Sequence, residues 1–532
     1  MRTLRTYQFA EDAGPLAHAV RPDHYQEINN FYTATVYNKG AELVRMLHTM
    51  LGNEAFIRAV RLYLHRHDGQ AATVEDFLAA MDEVSDIDLQ QFRLWYQQAG
   101  TPQVTVSSRY EVAGQVLEVT FEQSCPATPG QPHKKPLHIP CVVGLFDDAG
   151  RPLPVKSADE PGGLAAHEKV IHLRQRRETL RFDDVRKAPN ISLFRRFSAP
   201  VRVVGDESAE ALAFLLGHDS DPFNRWDAGQ RLAERIILAL VKQPAAEAGR
   251  SDLRLLIESF DRLLGDTALE SGLVAKLLEL PSELYLAQQM PEVDIEGLYA
   301  ARQQVRLHLA TALEKPFLAL WNACQDSGPY HIDPEAVGRR SLKNCCLDYL
   351  FAPGSDQARD LVCNSYWQAT NMTDRLAALL LLSDDSSPER QQALDHFFAR
   401  ANNDPLVLDK WFAVQARCKR PDTLQQVRNL LQHPAYQSPN PNRVRALIGT
   451  FSRLNLLRFH AADGSGYALL GEQVVALDAL NPQLAGYLAG GFSSWRRYDE
   501  GRRKRIRRQL SDIAALPKLS RDLSEVVGKM LG

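Results

Sequence analysis

The segment 167–172 places two histidines and a glutamate close enough in sequence to suggest metal chemistry. It reads His-Glu-Lys-Val-Ile-His, near to the HExxH pattern with which one helix offers two imidazoles to a zinc ion. His167 and His172 are five positions apart rather than four, which is about 140° around a helix and opposite faces of a strand. They cannot share a tetrahedral metal in this way. We interpret them as ordinary sheet residues and assign no metal ligand in the sequence.

Two tyrosines mark a second place where chemistry is plausible. Tyr32 and Tyr37 flank a stretch containing Thr and Val that runs into Asn38-Lys39-Gly40-Ala41 and then an amphipathic helix. A phenol hydroxyl aimed at developing negative charge can stabilise a transition state. A tyrosine in such a place is more often a packed aromatic, so the residues alone leave both interpretations open. The polar segment 218–226, taken alone, indicates only a helix cap and an interdomain contact.

Other familiar chemistry is excluded by pattern. GxxxxGK[ST], GxGxxG and GxSxG do not occur, and Asp-Gly-Ser-Gly-Tyr at 463–467 is interpreted as a turn and helix cap because it lacks a strand-turn-helix context. The basic stretch 502–508, with Arg496 and Arg497 before it, is interpreted as a solvated helix face rather than a nucleic-acid site. A net charge of -3 also argues against a polyanion or an anionic membrane as partner.

Length and composition predict a folded protein of several domains. The chain has 532 residues, of which 45% are hydrophobic and 24% charged. No apolar run approaches the roughly 20 residues that cross a bilayer, and the first residues do not read as a secretory signal. The seven cysteines are an odd number without CxxC spacing, which favours reduced, buried thiols. We therefore predict a cytoplasmic protein.

The periodicity of apolar residues changes twice along the chain. Residues 1–100 carry helical spacing, for example in 41–51 and 56–64, and Thr73 with Asp76 forms a capping box. Near residue 101 the period falls to two, and short apolar pieces within 104–185 predict an antiparallel β-sandwich over 101–204. From 205 to 532 nearly every segment is helical without a fixed repeat, which predicts an irregular α-solenoid. The fold class is thus multidomain and mainly α.

At several of these motifs the chain resembles aminopeptidase N, the bacterial branch of the zinc aminopeptidases with a thermolysin-like catalytic domain. The resemblance spans essentially the whole sequence and rests on segments in the order expected for that family. They are 29–32, 36–41, 95–102, 197–201, 221–226, 280–283, 342–344, 371–374, 440–443, 459–467 and 481–483.

The resemblance implies an architecture and a missing part. Residues 1–100 would be the C-terminal helical part of the catalytic domain, 101–204 a β-sandwich, and 205–532 a helical domain that caps the active site. The family's GxMEN segment, which holds the substrate's α-amino group, and its HExxH helix lie upstream of the point where this chain begins. The zinc of the full-length family would therefore have no ligands here, and we expect no cofactor in this chain.

The resemblance also implies roles for particular residues. Tyr37 matches the tyrosine whose hydroxyl donates to the oxyanion of the tetrahedral intermediate, and is the one catalytic residue we expect. Asn29 and Tyr32 match positions near the pocket for the substrate side chain, and Arg445 and Gln483 match positions of the capping domain that face the substrate cavity. The chain departs from the family at Asn38, Ala19 and Tyr487, where Glu, Pro and Arg are common. The last departure alters the polarity expected at the entrance.

Two hypotheses follow. In the first, the chain is the C-terminal part of an aminopeptidase N and is inactive alone. It acts on peptides only together with the missing part, for which a separate N-terminal chain is one candidate. In the second, it is a stand-alone α-solenoid module that binds peptides or proteins. Residues 2–12 are polar and match the interior of the family, whereas an independent module is expected to begin at a domain boundary. This observation favours the first hypothesis.

Overall fold

A computed structural model describes residues 1–23, 25–156, 166–205, 207–243, 247–326 and 328–532. The chain divides into two units, Met1–Ala228 and Gly229–Gly532. Among the described residues, the first unit combines helices with eight strands, and the second is helical.

The first unit begins with helices. The predicted capping box at Thr73 is confirmed, because its hydroxyl accepts from the N–H of Asp76 while the Asp76 carboxylate accepts from the Thr73 N–H. The long helix after Tyr37 is broken at Gly52, whose φ of 75° lies in the left-handed region that glycine adopts without strain. The α-helices are Phe9–Asp12, Gly40–His67, Val74–Val84, Leu94–Gln97, Ala209–His218 and Pro222–Lys242, and the π or 3₁₀ turns are Leu4–Gln8, Ile28–Phe31, Thr35–Lys39 and Arg195–Phe197.

The strands form two sheets. They are β1 (Gln103–Glu111), β2 (Val116–Ser124), β3 (Ile139–Phe146), β4 (Pro152–Leu153), β5 (Glu168–Leu173), β6 (Arg177–Phe182), β7 (Asn190–Ser192) and β8 (Arg202–Gly205). One sheet has the order β6-β2-β1-β8, and in the other β3 lies between β4 and β5 and also pairs with β7. Every residue of β3 is buried, as its continuous apolar sequence predicts.

One pairing differs from the prediction of an antiparallel sandwich. β8 pairs with β1 in parallel, with Gln103 opposite Arg202 and Val106 opposite Gly205. A parallel neighbour requires the chain to cross over before it returns, and here the second sheet lies between the two strands in sequence. Alternation within a four-residue strand carries no information about which direction its neighbour runs.

One apolar core joins the helices that follow residue 40 to the sandwich. Leu47, Leu78 and Phe92 belong to the same cluster of buried residues as Val104 and Ile139. On the helix Gly40–His67, Leu47 is fully buried in this core, whereas Val44 is exposed and Leu51 is half-buried. This helix therefore packs into the core through Leu47 and leaves part of the same face open.

The polar segment 218–226 caps a helix, as predicted, and ties it to the end of the sandwich. Asp219 accepts from the guanidinium of Arg195 at 2.6 Å and from the hydroxyl of Ser192 at 2.5 Å. Asn224 donates to the same hydroxyl at 2.7 Å. All four side chains are buried, so these hydrogen bonds pair polar groups that water does not reach, although Oδ1 of Asn224 has no partner among the described residues.

The second unit is a succession of helices. Most begin at a Ser, Asp or Asn that caps the first turn, such as Ser282, Asp333 and Asn371. The α-helices are Glu247–Gly265, Ser271–Leu277, Glu283–Ala287, Ile295–Ala312, Glu314–Ala323, Pro334–Phe351, Asp356–Gln368, Met372–Asp384, Pro388–Ala401, Pro405–Arg417, Thr423–Leu431, Pro441–Val444, Thr450–Leu454, Leu456–Phe459, Ser465–Asp478, Pro482–Ala489, Glu500–Ala514 and Arg521–Leu531, and the π or 3₁₀ turns are Arg445–Gly449, Gly490–Phe492 and Trp495–Arg497.

Neighbours in sequence pack on one another in this unit. From Asp356 to Leu431, each of five consecutive helices contacts the next. Earlier in the unit, Phe317 stacks on Tyr349 with ring centroids 4.6 Å apart, and the Tyr349 hydroxyl donates to the carbonyl of Leu278 at 2.6 Å. Local stacking of helix on helix is the packing expected of a solenoid.

Candidate active site

Tyr37 lies at the centre of a π-helical turn, Thr35–Lys39, that leads directly into the helix Gly40–His67. The Tyr37 side chain is 61% exposed, and its hydroxyl has no hydrogen-bond partner within the described part of the chain. A π-helical turn inserts one extra residue into a helix and is found frequently at functional sites. The arrangement presents a free phenol from a fixed piece of backbone.

Polar side chains from the first helix hold this turn. The carboxylate of Glu11 accepts from the backbone N–H of Thr35 at 2.8 Å and from its hydroxyl at 2.5 Å. The amide of Gln8 donates to the same hydroxyl at 3.3 Å. Both Gln8 and Thr35 are buried, so the turn is fixed from its inner side while Tyr37 points outward.

A buried ion pair anchors the end of the turn. The ammonium of Lys39 donates to Asp12 at 2.9 Å and to the carbonyl of Gly100 at 2.8 Å. The hydroxyl of Thr101 donates to the same carboxylate oxygen at 2.9 Å. The pair is not predicted from the sequence, because the two residues are 27 positions apart and a lysine at the start of an amphipathic helix is ordinarily solvated. The available signal was that Lys39 lies in segment 36–41, one of the segments that resemble the family.

Tyr32 lies beside Tyr37 on an exposed patch. The rings of Tyr32 and Tyr37 have centroids 6.2 Å apart, and Phe31 contacts Tyr32 at 6.1 Å. Asn29 is exposed in the preceding turn Ile28–Phe31, where its side-chain amide donates to Glu27 at 3.2 Å. Of the site residues predicted in the first unit, the structure brings Tyr32 and Tyr37 into contact. An exposed aromatic group of this kind is typical of a surface that another molecule covers.

Arg445 and Gln483 lie in the second unit and share Tyr487 as a neighbour. Arg445 begins the π-helical turn Arg445–Gly449, and its guanidinium lies 5.6 Å from the centre of the Tyr487 ring. Gln483 precedes Tyr487 by one turn of the helix Pro482–Ala489, so the two side chains leave the same face. Arg453 contacts the same ring at 3.9 Å. Tyr487, where the resemblance implies an arginine, is therefore flanked by two cations.

The described residues do not fit a zinc ion. No group of three or more His, Cys, Asp or Glu side chains among them is arranged to hold a metal. His172 lies on strand β5, as predicted, and its Nδ1 is 2.9 Å from Nε2 of His138. Burial lowers the pKa of His138 to about 3, and no third ligand joins the pair. Neither histidine has the helical setting of a zinc-protease ligand.

A family model described as "Domain of unknown function (DUF3458_C) ARM repeats" matches residues 209–532, more than half of the chain. The chain belongs to this family. A second model of the DUF3458 domain, described as an Ig-like fold, matches residues 100–206, and the Peptidase family M1 domain matches residues 2–96. Together with the structure, these matches confirm the predicted fold class, mainly helical with a β-sandwich and a C-terminal α-solenoid.

This DUF3458_C chain is homologous to aminopeptidase N over its whole length, which confirms the predicted resemblance. It is 39% identical over 531 residues to aminopeptidase N of Escherichia coli and 42% identical over 532 residues to that of Caulobacter vibrioides, and covers 60% of each relative. A crystal structure of Legionella pneumophila aminopeptidase A in complex with aspartic acid matches with a TM-score of 0.86 and 28% identity, over 97% of this chain and 58% of that one.

The DUF3458_C chain thus spans about 60% of the length of these relatives and corresponds to their C-terminal part. Over its described residues, none of the helices combines the length and the apolar character needed to cross a bilayer.

Proposed function

We propose that this chain is the C-terminal part of a zinc-dependent aminopeptidase N, which removes N-terminal residues from peptides. The observation that carries the proposal is sequence identity of 39% to 42%, extending over the whole chain, with proteins of that name. In this proposal the zinc ligands and the segment that binds the α-amino group belong to the part of the relatives that the chain does not span. The chain alone is then inactive.

Tyr37 is the proposed catalytic residue. A neutral phenol donates a hydrogen bond to the carbonyl oxygen of the scissile bond as that oxygen gains negative charge. This interaction is stronger in the transition state than in the ground state, and so accelerates the reaction rather than only tightening binding. Its support here is the exposed hydroxyl on a turn that Glu11 and the Lys39–Asp12 pair fix from the inside.

Four residues are proposed to bind substrate. Tyr32 lies next to Tyr37 and offers an aromatic face to a substrate side chain, and Asn29, exposed in the preceding turn, offers an amide. Arg445 and Gln483 are exposed polar residues of the second unit, and their roles rest on the resemblance. Tyr487 between them makes that surface less basic than the family's arginine would.

The remaining parts of the proposal concern organisation and partners. The chain is divided into 1–100, 101–204 and 205–532, it acts in the cytoplasm, and peptides are its substrates. A separate chain carrying the N-terminal part is a candidate partner. Neither nucleic acid nor membrane is expected to bind, in line with the net charge of -3.

The test compares the chain alone with the chain fused to the N-terminal part that its relatives have in addition. The chain alone is analysed for bound metal and assayed on an alanine anilide, and then again after fusion behind the N-terminal part of the Escherichia coli relative. We expect no stoichiometric zinc and no hydrolysis from the chain alone, and hydrolysis that a chelator abolishes from the fusion. The fusion with its HExxH glutamate changed to glutamine is the matched control.

Two outcomes would contradict the proposal. One is a tightly held zinc in the chain alone, with activity lost on chelation. The other is a folded fusion that binds zinc but hydrolyses nothing, which would favour the stand-alone binding module.

A further inference from the structure

A polar cavity of about 250 Å³ lies in the first unit, at the end of strand β2. Its walls come from that strand, from the loop 132–137 and from Arg176 in the turn between β5 and β6. Its lining includes the basic residues His133, Lys134, Lys135 and Arg176. The thiol of Cys125 also lines it. Among the residues that the structure describes, no carboxylate lines it.

The positive charge of this cavity is not neutralised by ion pairs. Lys134 directs its ammonium to three neutral acceptors, the carbonyl of Ala99 at 2.9 Å, the hydroxyl of Thr128 at 2.7 Å and the amide oxygen of Gln131 at 2.8 Å. Within the described residues, neither Lys135 nor Arg176 has a carboxylate within ion-pair distance. Three cationic side chains therefore line a small volume without a carboxylate of the described residues in ion-pair contact with them.

The acidic residues nearest in sequence are engaged elsewhere. Glu122, beside the cavity strand residue Gln123, pairs with Arg177 at 3.1 Å. Glu178 accepts from the backbone N–H groups of Arg174 and Gln175, and so caps the turn that carries Arg176. These carboxylates would therefore not compete with an external anion for the cationic groups of the cavity.

The walls are held in place before any ligand binds. The backbone N–H of Gln123 donates to the carbonyl of Arg176 at 2.9 Å, and its side-chain amide exchanges hydrogen bonds with Leu137 at 2.7 and 2.9 Å. The N–H of Lys135 donates to the side chain of Gln98 at 2.7 Å. A site whose backbone is already ordered loses less entropy on binding.

We propose that this cavity is a binding site for a small anion that carries a phosphate group. A phosphate bears between about 1.5 and 2 negative charges at neutral pH and has three strong acceptor oxygens. Arg176 offers a planar fork of donors and Lys135 a mobile ammonium, while Lys134 contributes charge through space because its donors are already used. A cavity below about 300 Å³ fits a small phosphate compound rather than a dinucleotide.

Cys125 supplies a probe of occupancy. Its thiol lines the cavity, and burial raises its pKa, so that it alkylates slowly and its rate responds to cover by a ligand. The rate of its modification by iodoacetamide is followed by peptide mass spectrometry at constant ionic strength and rising inorganic phosphate. Cys363 is the internal control, because it is a half-buried thiol of the second unit whose pKa burial also raises.

We expect phosphate to slow alkylation of Cys125 in a saturable way and to leave Cys363 unaffected. In the double variant Lys135→Gln/Arg176→Gln the half-protecting concentration should rise about tenfold or more, because two charge-assisted contacts are lost. Lys187→Gln, an exposed lysine of the same unit, should change nothing. Protection at lower concentrations of glycerol phosphate than of inorganic phosphate would identify the ligand as a phosphate ester rather than the free ion.

The proposal is overturned if phosphate at up to tens of millimolar gives Cys125 no saturable protection from alkylation. It is also overturned if phosphate protects Cys125 in the double variant at the same concentrations as in the unchanged chain. Calorimetric titration of phosphate into the same proteins gives this comparison without relying on the thiol. Since Lys135 and Arg176 are both exposed, their substitution leaves the core intact.

Discussion

Lys39 donates to Asp12 at 2.9 Å in a setting where each side chain is only 1% exposed. The pair closes the turn that carries Tyr37 and attaches it to the loop at Gly100. Removing both charges from water is unfavourable, so the pair requires the additional hydrogen bonds from Thr101 and to Gly100 that it makes. The exposed tyrosine is thus positioned by a polar contact that lies wholly inside the protein.

Breaking this pair should be strongly destabilising. We expect Lys39→Met to lower the free energy of unfolding of the first unit by about 3 to 5 kcal/mol, because Asp12 would remain buried without its counter-charge. The double variant Lys39→Met/Asp12→Leu should recover part of that loss. The measurement is urea unfolding of both variants. As a control, Arg66→Met breaks the exposed pair with Glu83 and should leave the midpoint nearly unchanged. Equal midpoints for Lys39→Met and Arg66→Met would disprove the role of the buried pair.

The helix Gly40–His67 offers a second comparison, between Leu47 and Val44. Leu47 is fully buried in the cluster that also contains Ile139 of β3, whereas Val44 is 37% exposed. Leu47→Ala should lower the free energy of unfolding by about 2 to 5 kcal/mol through lost burial and a cavity, and Val44→Ala by much less.

Because one core joins these helices to the sandwich, hydrogen exchange of residues 43–50 should be slowed about as much as that of 139–146. Fast exchange of 43–50 beside a protected β3 would contradict this prediction.

Particular residues show which features of the fold can be predicted from the sequence and which cannot. The run of apolar residues in 137–146 predicts β3 because burial on both faces demands it, and Thr73 with Asp76 predicts a helix start because the two groups need only local contacts. The parallel pairing of β8 and the contact of Lys39 with Asp12 depend on how distant segments meet. Neither leaves a periodicity in the sequence.

In the candidate site, too, some features could be predicted from the sequence and others could not. Tyr32 and Tyr37 are expected site residues and do contact each other, since they are close in sequence. The π-helical form of the turn could not be predicted, because the contacts that hold it, from Glu11 to Thr35 and from Lys39 to Asp12, join residues more than twenty positions apart. The pair of His138 and His172 was missed as well, since strand pairing brings the two together.

A buried histidine predicts how stability changes with pH. His460 contacts the hydroxyl of Tyr467 through Nδ1 at 2.9 Å and that of Tyr498 through Nε2 at 3.0 Å. Burial, aided by the charge of Arg502, lowers its pKa to about 3 from a usual value near 6.5. The unfolded chain therefore binds a proton first as the pH falls, so the contribution of His460 to stability is complete above about pH 6.5 and is lost towards pH 3.

Between pH 7 and pH 5 this group should account for a loss of about 2 kcal/mol. Thermal unfolding of the second unit at the two pH values is the measurement, and His460→Gln should reduce the difference between them. His65→Gln, an exposed histidine, should leave the difference unchanged. If the variant lacking His460 loses as much stability between pH 7 and pH 5 as the unchanged chain, the imidazole is not held neutral by the fold.

Tyr37→Phe tests the proposed catalytic hydroxyl in the fused enzyme described above. The substitution removes one oxygen and keeps the ring, so the contact with Tyr32 and the buried supports of the turn remain. Loss of an oxyanion donor typically lowers turnover by roughly a hundredfold to a thousandfold, about 3 to 4 kcal/mol. Because the hydrogen bond strengthens only as charge develops, kcat should fall while KM changes little.

Tyr32→Phe provides the matched control for that measurement, since it removes a hydroxyl from the neighbouring ring of the same patch. Its position near the substrate pocket predicts an effect on KM and on the choice of substrate side chain rather than on kcat. A transition-state analogue should separate the two variants further, because its affinity should fall with kcat in Tyr37→Phe and hardly at all in Tyr32→Phe. Near-normal turnover in Tyr37→Phe, together with a large fall in Tyr32→Phe, would mean that the oxyanion donor is Tyr32, and that the turn Thr35–Lys39 serves only to position it.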